Sequence, residues 1–177
     1  DLDPGRCKPE YADSMLEMLK QFGVRWDGLD VQSDNCEAYQ TQLHELAEAD
    51  RIYRCDCSRS RLKQLGHVAP DGGYVYDNHC RQYLWKPGQA YGDAALRLKL
   101  GDDEICFTDL RFGLQKFVVH NDFGDPVVVR KDGAFSYHFS SVLDDHKTMV
   151  TDVVRGRDLL FSSPVQIAIR KVLKMPI

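Results

Sequence analysis

The sequence predicts an α/β core, residues 1–54 and 133–177, interrupted by a strand-rich insertion at 55–132. Three observations carry that reading. Helical periodicity marks both ends of the chain, four short strand-like segments fall between them, and a cysteine cluster opens the middle part.

The elements follow in order. Residues 10–22 carry Tyr11, Met15, Met18, Leu19 and Phe22 at helical spacing, and Gly23 ends that helix. Asp34 and Glu37 have the spacing of a capping box, ahead of a second helix with Tyr39, Leu43 and Leu46 on one face. "RIYRC" reads as a short strand, and Ser58 caps a helix over 59–65. "GHVAPDGG" is a loop rich in turn formers. "AALRLKL", "EICFTD", "KFVVH" and "PVVVR" are strand candidates separated by Gly, Asp and Asn. "RKDGAFSYHFSSVLDDH" gives a turn and then a helix, and "TMVTDVVRG" reads as a buried strand. "SSPVQIAIRKVLK" is a closing helix with Ser163 as cap and Pro164 at its first position.

A chain of 177 residues fits one large domain, or one domain with an insertion. Hydrophobic residues at 43% and charged residues at 28% give it the composition of a globular protein with a real core. No run of about 18 apolar residues offers a membrane-spanning helix. The net charge of −4 excludes a strongly basic nucleic-acid binder, while a local basic surface remains compatible with it. The opening "DLDPGRCKPE" carries neither a signal-peptide pattern nor a start methionine, so the chain reads as a piece of a longer protein. Reduced thiols in a cytosolic setting are the expectation for its six cysteines.

Three of those cysteines lie in residues 53–80, "YRCDCSRSRLKQLGHVAPDGGYVYDNHC". Residues two apart on a strand share a side, so Cys55 and Cys57 present both sulfurs to one point. That suits a metal, whereas a disulfide is hard to close at this spacing. A structural zinc site takes four donors in a tetrahedron. The candidates are Cys55, Cys57, Cys80 and either Tyr76, which shares a face with Cys80 on a helical turn, or His79. Imidazole is the more usual zinc donor, so the residues by themselves leave the fourth ligand open. Neither a HExxH arrangement nor a deaminase-type HxE…PCxxC pattern is present.

These segments together resemble one family. "CDCSR" followed by "YDNHCR" is similar to the zinc-binding insertion of glutamyl-Q tRNA(Asp) synthetases, truncated relatives of class I glutamyl-tRNA synthetases. "DLDPGR", "WDG…QS…Y", "AALRLKL", "FTD…G", "RKDGAFSYHFSSVLDDH", "VTDVVRGRDLL" and "Q…VLKMP" resemble that family in the same order, over nearly the whole chain. The resemblance implies a Rossmann-like class I synthetase core with a zinc-binding insertion. It implies one structural zinc on Cys55, Cys57, Tyr76 and Cys80, with His79 a neighbour. Gln82, two residues after Cys80, departs from the CxC…CxH pattern of zinc-containing glutamyl-tRNA synthetases.

The implied reaction is activation of glutamate with ATP and Mg, then transfer to the queuosine of tRNA(Asp), by a cytoplasmic monomer without membrane contact. Tyr137 and Arg155 match the pocket tyrosine and the arginine that pairs with a substrate carboxylate, for which a guanidinium fork is suited. Asp144 and Asp145 are expected to orient structure near that pocket. The family's HIGH-like and KMSKS-like ATP motifs are expected before Asp1 and after Ile177, so the segment alone is expected to be inactive. The competing readings are a piece of an ordinary glutamyl-tRNA synthetase and a non-catalytic zinc module that binds RNA.

Overall fold

The computed structural model describes residues 1–3, 5–90 and 92–177. Helices α1 (Pro9–Gln21) and α2 (Cys36–Glu48) lead into strand β1 (Ile52–Cys55) and the short helix α3 (Arg59–Leu65). Strands β2 (Ala95–Leu98), β3 (Glu104–Asp109) and β4 (Gly113–Val118) follow, then the one-turn helix α4 (Val119–Asp122) and strand β5 (Val127–Val129). Helices α5 (Tyr137–Lys147) and α6 (Ser162–Val172) close the chain.

The sheet has the order β1-β2-β5, antiparallel throughout, while β3 and β4 form a separate hairpin. In register, Ile52 faces Leu98 and Cys55 faces Ala95. Strand period decides where each side chain of β1 goes. Ile52 joins a large apolar core with Leu43, Leu96, Val128, Phe139 and Ile169, drawn from α2, the sheet, α5 and α6. Tyr53 and Cys55 join a smaller cluster with Tyr76 and Cys80. The boundary drawn at residue 55 therefore runs through one sheet and one core.

Most elements lie where pattern and caps place them. The Ser58 hydroxyl accepts from the Arg61 amide at the start of α3, and Ser136 does the same for Phe139 at α5. Four expectations need correction. Asp34 does not form a capping box: it lies in a 3-10 turn, Gln32–Asn35, and α2 begins after Asn35 without a side-chain cap. The Asn35 side chain is drawn away to Asp30, Asp144 and Lys147. The strand expected over "KFVVH" ends at Val118, because the Asp122 carboxylate accepts from the Val118 amide and turns the chain into α4. Helix α6 starts at Ser162, with no side-chain cap from Ser163.

The fourth correction is the largest. Residues 148–156 form no strand, and Val154 is 98% exposed. A strand needs a ladder, and among the described residues no backbone hydrogen bond joins residues 151–155 to another segment. The apolar stripe of α1 is likewise exposed at Tyr11, Met15, Met18 and Phe22.

A buried carboxylate ties the sheet to the loop carrying Cys80. Asp125 is fully buried, and its oxygens accept from the Tyr53 hydroxyl at 2.9 Å, Arg81 Nε at 2.7 Å and the Leu100 amide at 2.9 Å. The Asp125 amide donates to Asn78 Oδ1 at 2.9 Å. Such a group is tolerated inside a protein only when its charge is paired and its lone pairs are filled. Asp125→Ala should therefore cost about 3–5 kcal/mol, since it strands the Arg81 charge and buried donors. Tyr53→Phe, which removes one donor of several, should cost only about 0.5–1.5 kcal/mol. Denaturant unfolding of both variants checks this, and equal small losses would show that Asp125 is no anchor.

Candidate metal centre and amino-acid pocket

The sulfurs of Cys55, Cys57 and Cys80 lie within 4.8 Å of one another. Cys57 and Cys80 are 3.5 Å apart, and all three are free thiols. Each is positioned by a different device. Cys55 ends β1. Cys57 precedes the Ser58 cap of α3, and α3 is clamped to the following loop by Arg61, whose guanidinium grips the Asp77 carboxylate at 2.9 and 2.6 Å. The pair holds the Asp77 carboxyl below the usual carboxylate range. Cys80 donates its amide to the Tyr76 hydroxyl at 2.9 Å.

Tyr76 is buried in this cluster, and its hydroxyl interacts with the sulfurs of Cys55 and Cys80. His79 is exposed and lies outside the group of converging donors. Burial pushes the Tyr76 phenol up, with the Cys55 hydrogen bond adding to it. Burial, with its cysteine neighbours, raises the Cys57 thiol to about 12. For Cys55, burial acts upward but is outweighed by the charge of Arg97 and by hydrogen bonds from Tyr76 and Arg97, so the net shift is down. Acidic donors crowded at one point resist ionising together, and Arg97 offsets this at Cys55. A divalent cation reverses this, because thiolates at the metal are deprotonated outright. Three thiols and a phenol within reach thus fit a tetrahedral zinc.

The pocket residues divide. Tyr137 begins α5 and lines a cleft of about 780 Å³ together with Arg6, Arg97, Arg130 and His138. Arg155 is not among the walls of that cleft. It lies near α5, where its charge lowers His138 after burial has done so, and acts downward on Asp145, which burial raises. One guanidinium nitrogen of Arg155, Nη1, is buried without a hydrogen-bond partner. His138 reaches the Ser162 hydroxyl at 3.2 Å. Asp144 is an organiser of structure: it accepts from the Tyr39 hydroxyl at 2.6 Å and from Gln32 at 2.7 Å.

Three participants went unseen in the sequence. Asp125 and Arg97 act across long separations and have no local motif. Asp77 had a signal, since it sits inside "YDNHC" between two ligand candidates.

An α/β chain with this arrangement of core, hairpin and cysteine loop is defined as a class by comparison with known families. The family described as tRNA synthetases class I (E and Q), catalytic domain, matches residues 1–177, and the chain belongs to that family. Within it, the chain is similar to proteins named glutamyl-Q tRNA(Asp) synthetase. It is 37% identical to that of Methylococcus capsulatus, over 99% of this chain and 56% of the relative. It is 36% identical to that of Neisseria meningitidis serogroup C, over 99% and 60%, and 35% identical to that of Pseudomonas aeruginosa, over 98% and 56%. The chain thus spans 56–60% of the length of these relatives. The glutamate tRNA ligase of Elizabethkingia meningosepticum, solved in complex with its amino acid, superposes with a TM-score of 0.78 at 20% identity. It covers all of this chain and 40% of that one. The glutamate-tRNA synthetase of Elizabethkingia anophelis gives 0.77 at 20% identity, over 99% and 40%. The fold is that of the class I synthetase catalytic domain.

The cluster depends on one glycine. Gly124 has φ +77°, and a Cβ there would lie 2.1 Å from the Tyr76 carbonyl oxygen and 2.8 Å from its Cβ. Gly124→Ala should cost at least about 1–3 kcal/mol from backbone strain alone. It should also push Tyr76 away from the sulfurs. Thermal unfolding and metal retention, measured on the same variant, check this; a variant unchanged in both would show that the loop yields without consequence.

Proposed function

We propose that the protein carrying this segment activates glutamate with ATP and transfers it to the queuosine of tRNA(Asp). In this reading residues 55–132 are a zinc-binding insertion, and one structural zinc is held by Cys55, Cys57, Tyr76 and Cys80. When bound, the metal supplies folding free energy to the insertion. Tyr137 and Arg155 hold the amino acid. ATP acts with Mg, and the protein works as a cytoplasmic monomer; among the described residues, no helix is long and apolar enough to cross a membrane.

The names of the relatives support the reaction. One observation carries the choice of amino acid: the buried, unpartnered Nη1 of Arg155. A buried donor without a partner is costly, and a carboxylate is the partner that a guanidinium fork reads best. In the first step an α-carboxylate oxygen attacks the α-phosphorus of ATP, and pyrophosphate leaves. The α-carboxylate must stay free for that attack, so the fork belongs on the side-chain carboxylate, the group that separates glutamate from glutamine. In the second step a queuosine hydroxyl attacks the activated carbonyl and AMP leaves. Positioning and charge neutralisation carry most of such chemistry.

Two outcomes follow. The freshly purified chain should hold one zinc, lost in Cys80→Ser and kept in His79→Ala; elemental analysis decides, and the reverse pattern makes His79 the ligand. In the full-length protein, Arg155→Ala should weaken glutamate use by about 2–5 kcal/mol, the range for truncating one partner of a desolvated charge pair. Arg155→Lys should recover only part of that loss, because an ammonium cannot grip both oxygens. Glutamate-dependent pyrophosphate exchange, with glutamine as competitor, measures it. Unchanged glutamate use and unchanged rejection of glutamine would remove Arg155 from the pocket. Transfer to the 3′ end of tRNA(Glu), with none to tRNA(Asp) carrying queuosine, would make the protein an ordinary glutamyl-tRNA synthetase.

A further inference from the structure

Arg97 occupies the middle of β2, between β1 and β5. Its guanidinium carbon sits 3.7 Å from the centroid of the Tyr76 ring. That is contact stacking, well inside the roughly 6 Å reach of a cation–π pair. Nη1 donates to the Asp125 backbone carbonyl, and Nε is buried without a partner. Asp125 itself directs its carboxylate to Arg81, Tyr53 and Leu100, so Arg97 receives only a backbone oxygen from it. A half-buried guanidinium with a buried, unpartnered Nε and no carboxylate is stabilised when an anion faces it. The groups beside it that a bound metal would make anionic are Cys55, within hydrogen-bond reach, and Tyr76, under its stack.

Charge counting at the cluster gives the reason. Three thiolates and a divalent cation leave one negative charge, and a phenolate as fourth ligand leaves two. A fixed cation beside the site favours an anionic fourth donor over a neutral imidazole. We propose that Arg97 is a positioning residue of the metal centre, which stacks on Tyr76 so that its hydroxyl joins the three sulfurs and which balances the charge of the anionic donor set. The ligand is a borderline-soft divalent cation such as zinc. The inference rests on the four-ligand metal reading above. It goes beyond that reading in explaining why a tyrosine, and not the adjacent His79, completes the set.

The test is zinc affinity by competition with a chromophoric chelator, on the whole chain. Arg97→Gln should bind zinc roughly 10–100-fold more weakly, the scale found when partners behind metal ligands are removed. Arg97→Lys, which keeps the charge and loses the planar stack, should recover part of the loss. Tyr76→Phe should also weaken binding, and adding Arg97→Gln to it should weaken binding much less than Arg97→Gln does alone, because the two act through one contact. A merely structural arginine would instead give additive losses. Additive losses, or an Arg97→Gln variant that binds zinc as tightly as the unaltered chain, overturn the proposal. If Arg97→Gln does not fold at saturating zinc, Arg97→Lys decides, and an affinity equal to that of the unaltered chain then overturns the stacking role. A chain that holds no zinc at all removes the metal reading itself, whereas a zinc-loaded chain indifferent to Arg97 removes only this inference.

Discussion

The buried carboxylate of Asp125 is the constraint on which the rest of the molecule is hung. It gathers a hydroxyl from β1, a guanidinium from the loop after Cys80 and an amide beyond β2, while its own amide is fixed by Asn78. Tyr53, Arg81 and Leu100 are far apart in sequence, so the carboxylate does what no local turn does and sets the distance between sheet and cysteine loop. Its neighbours on either side extend that control. Gly124 lets the chain pass against the Tyr76 backbone, and the Asp125 carbonyl accepts from Arg97. The Tyr76 and Cys80 half of the cysteine cluster is therefore placed by these contacts, and the Cys55 and Cys57 half by the end of β1 and the cap of α3.

This division explains why two opposed pulls on the cysteines coexist. Burial disfavours thiolates, and it raises Cys57. The arginine beside Cys55 acts in the other direction and prevails there. A cluster built from one raised and one lowered thiol is held together by protein geometry, with the clamp between Arg61 and Asp77 tying α3 to the loop that carries Cys80. The region around α5 is organised differently. Asp144 on α5 directs its carboxylate to Tyr39, Gln32 and Asn35, while Arg155, in the irregular segment after α5, keeps a buried nitrogen unpartnered.

Local physics was legible in the sequence. The periodicity of α1, the Ser58 cap of α3 and the β-branched segments that became β2 through β5 were read from residue order alone, with limits shifted by a few positions. Failures came where a distant partner overrode a local preference. Asn35, at the start of α2, turns its side chain to Asp30, Asp144 and Lys147 and leaves the helix without the cap expected from Asp34, whereas Asp122 ended the strand expected over "KFVVH" through a local contact with the Val118 amide. The segment 148–156 has strand composition, yet composition cannot provide the neighbour a ladder requires. The same limit applied at the site. Two sulfurs two residues apart announce a shared target, but Asp125 and Arg97 belong to the arrangement through contacts that span much of the chain.

Those spans have a consequence for how the molecule reaches its native state. The contacts of Asp125 close sequence separations of 72, 44 and 25 residues, and the approach of Cys57 to Cys80 closes 23. Each closure spends chain entropy before it yields any contact, and the cost grows only slowly with length. Topologies dominated by such closures fold slowly. The shortest of these loops is the one whose ends are cysteines, and it lies inside the longest, so closing it first would shorten the search of Tyr53 for Asp125 and leave the other two unchanged. In kinetic terms the cysteine loop is the least costly of these closures, and the tie between the carboxylate and β1 is the most costly.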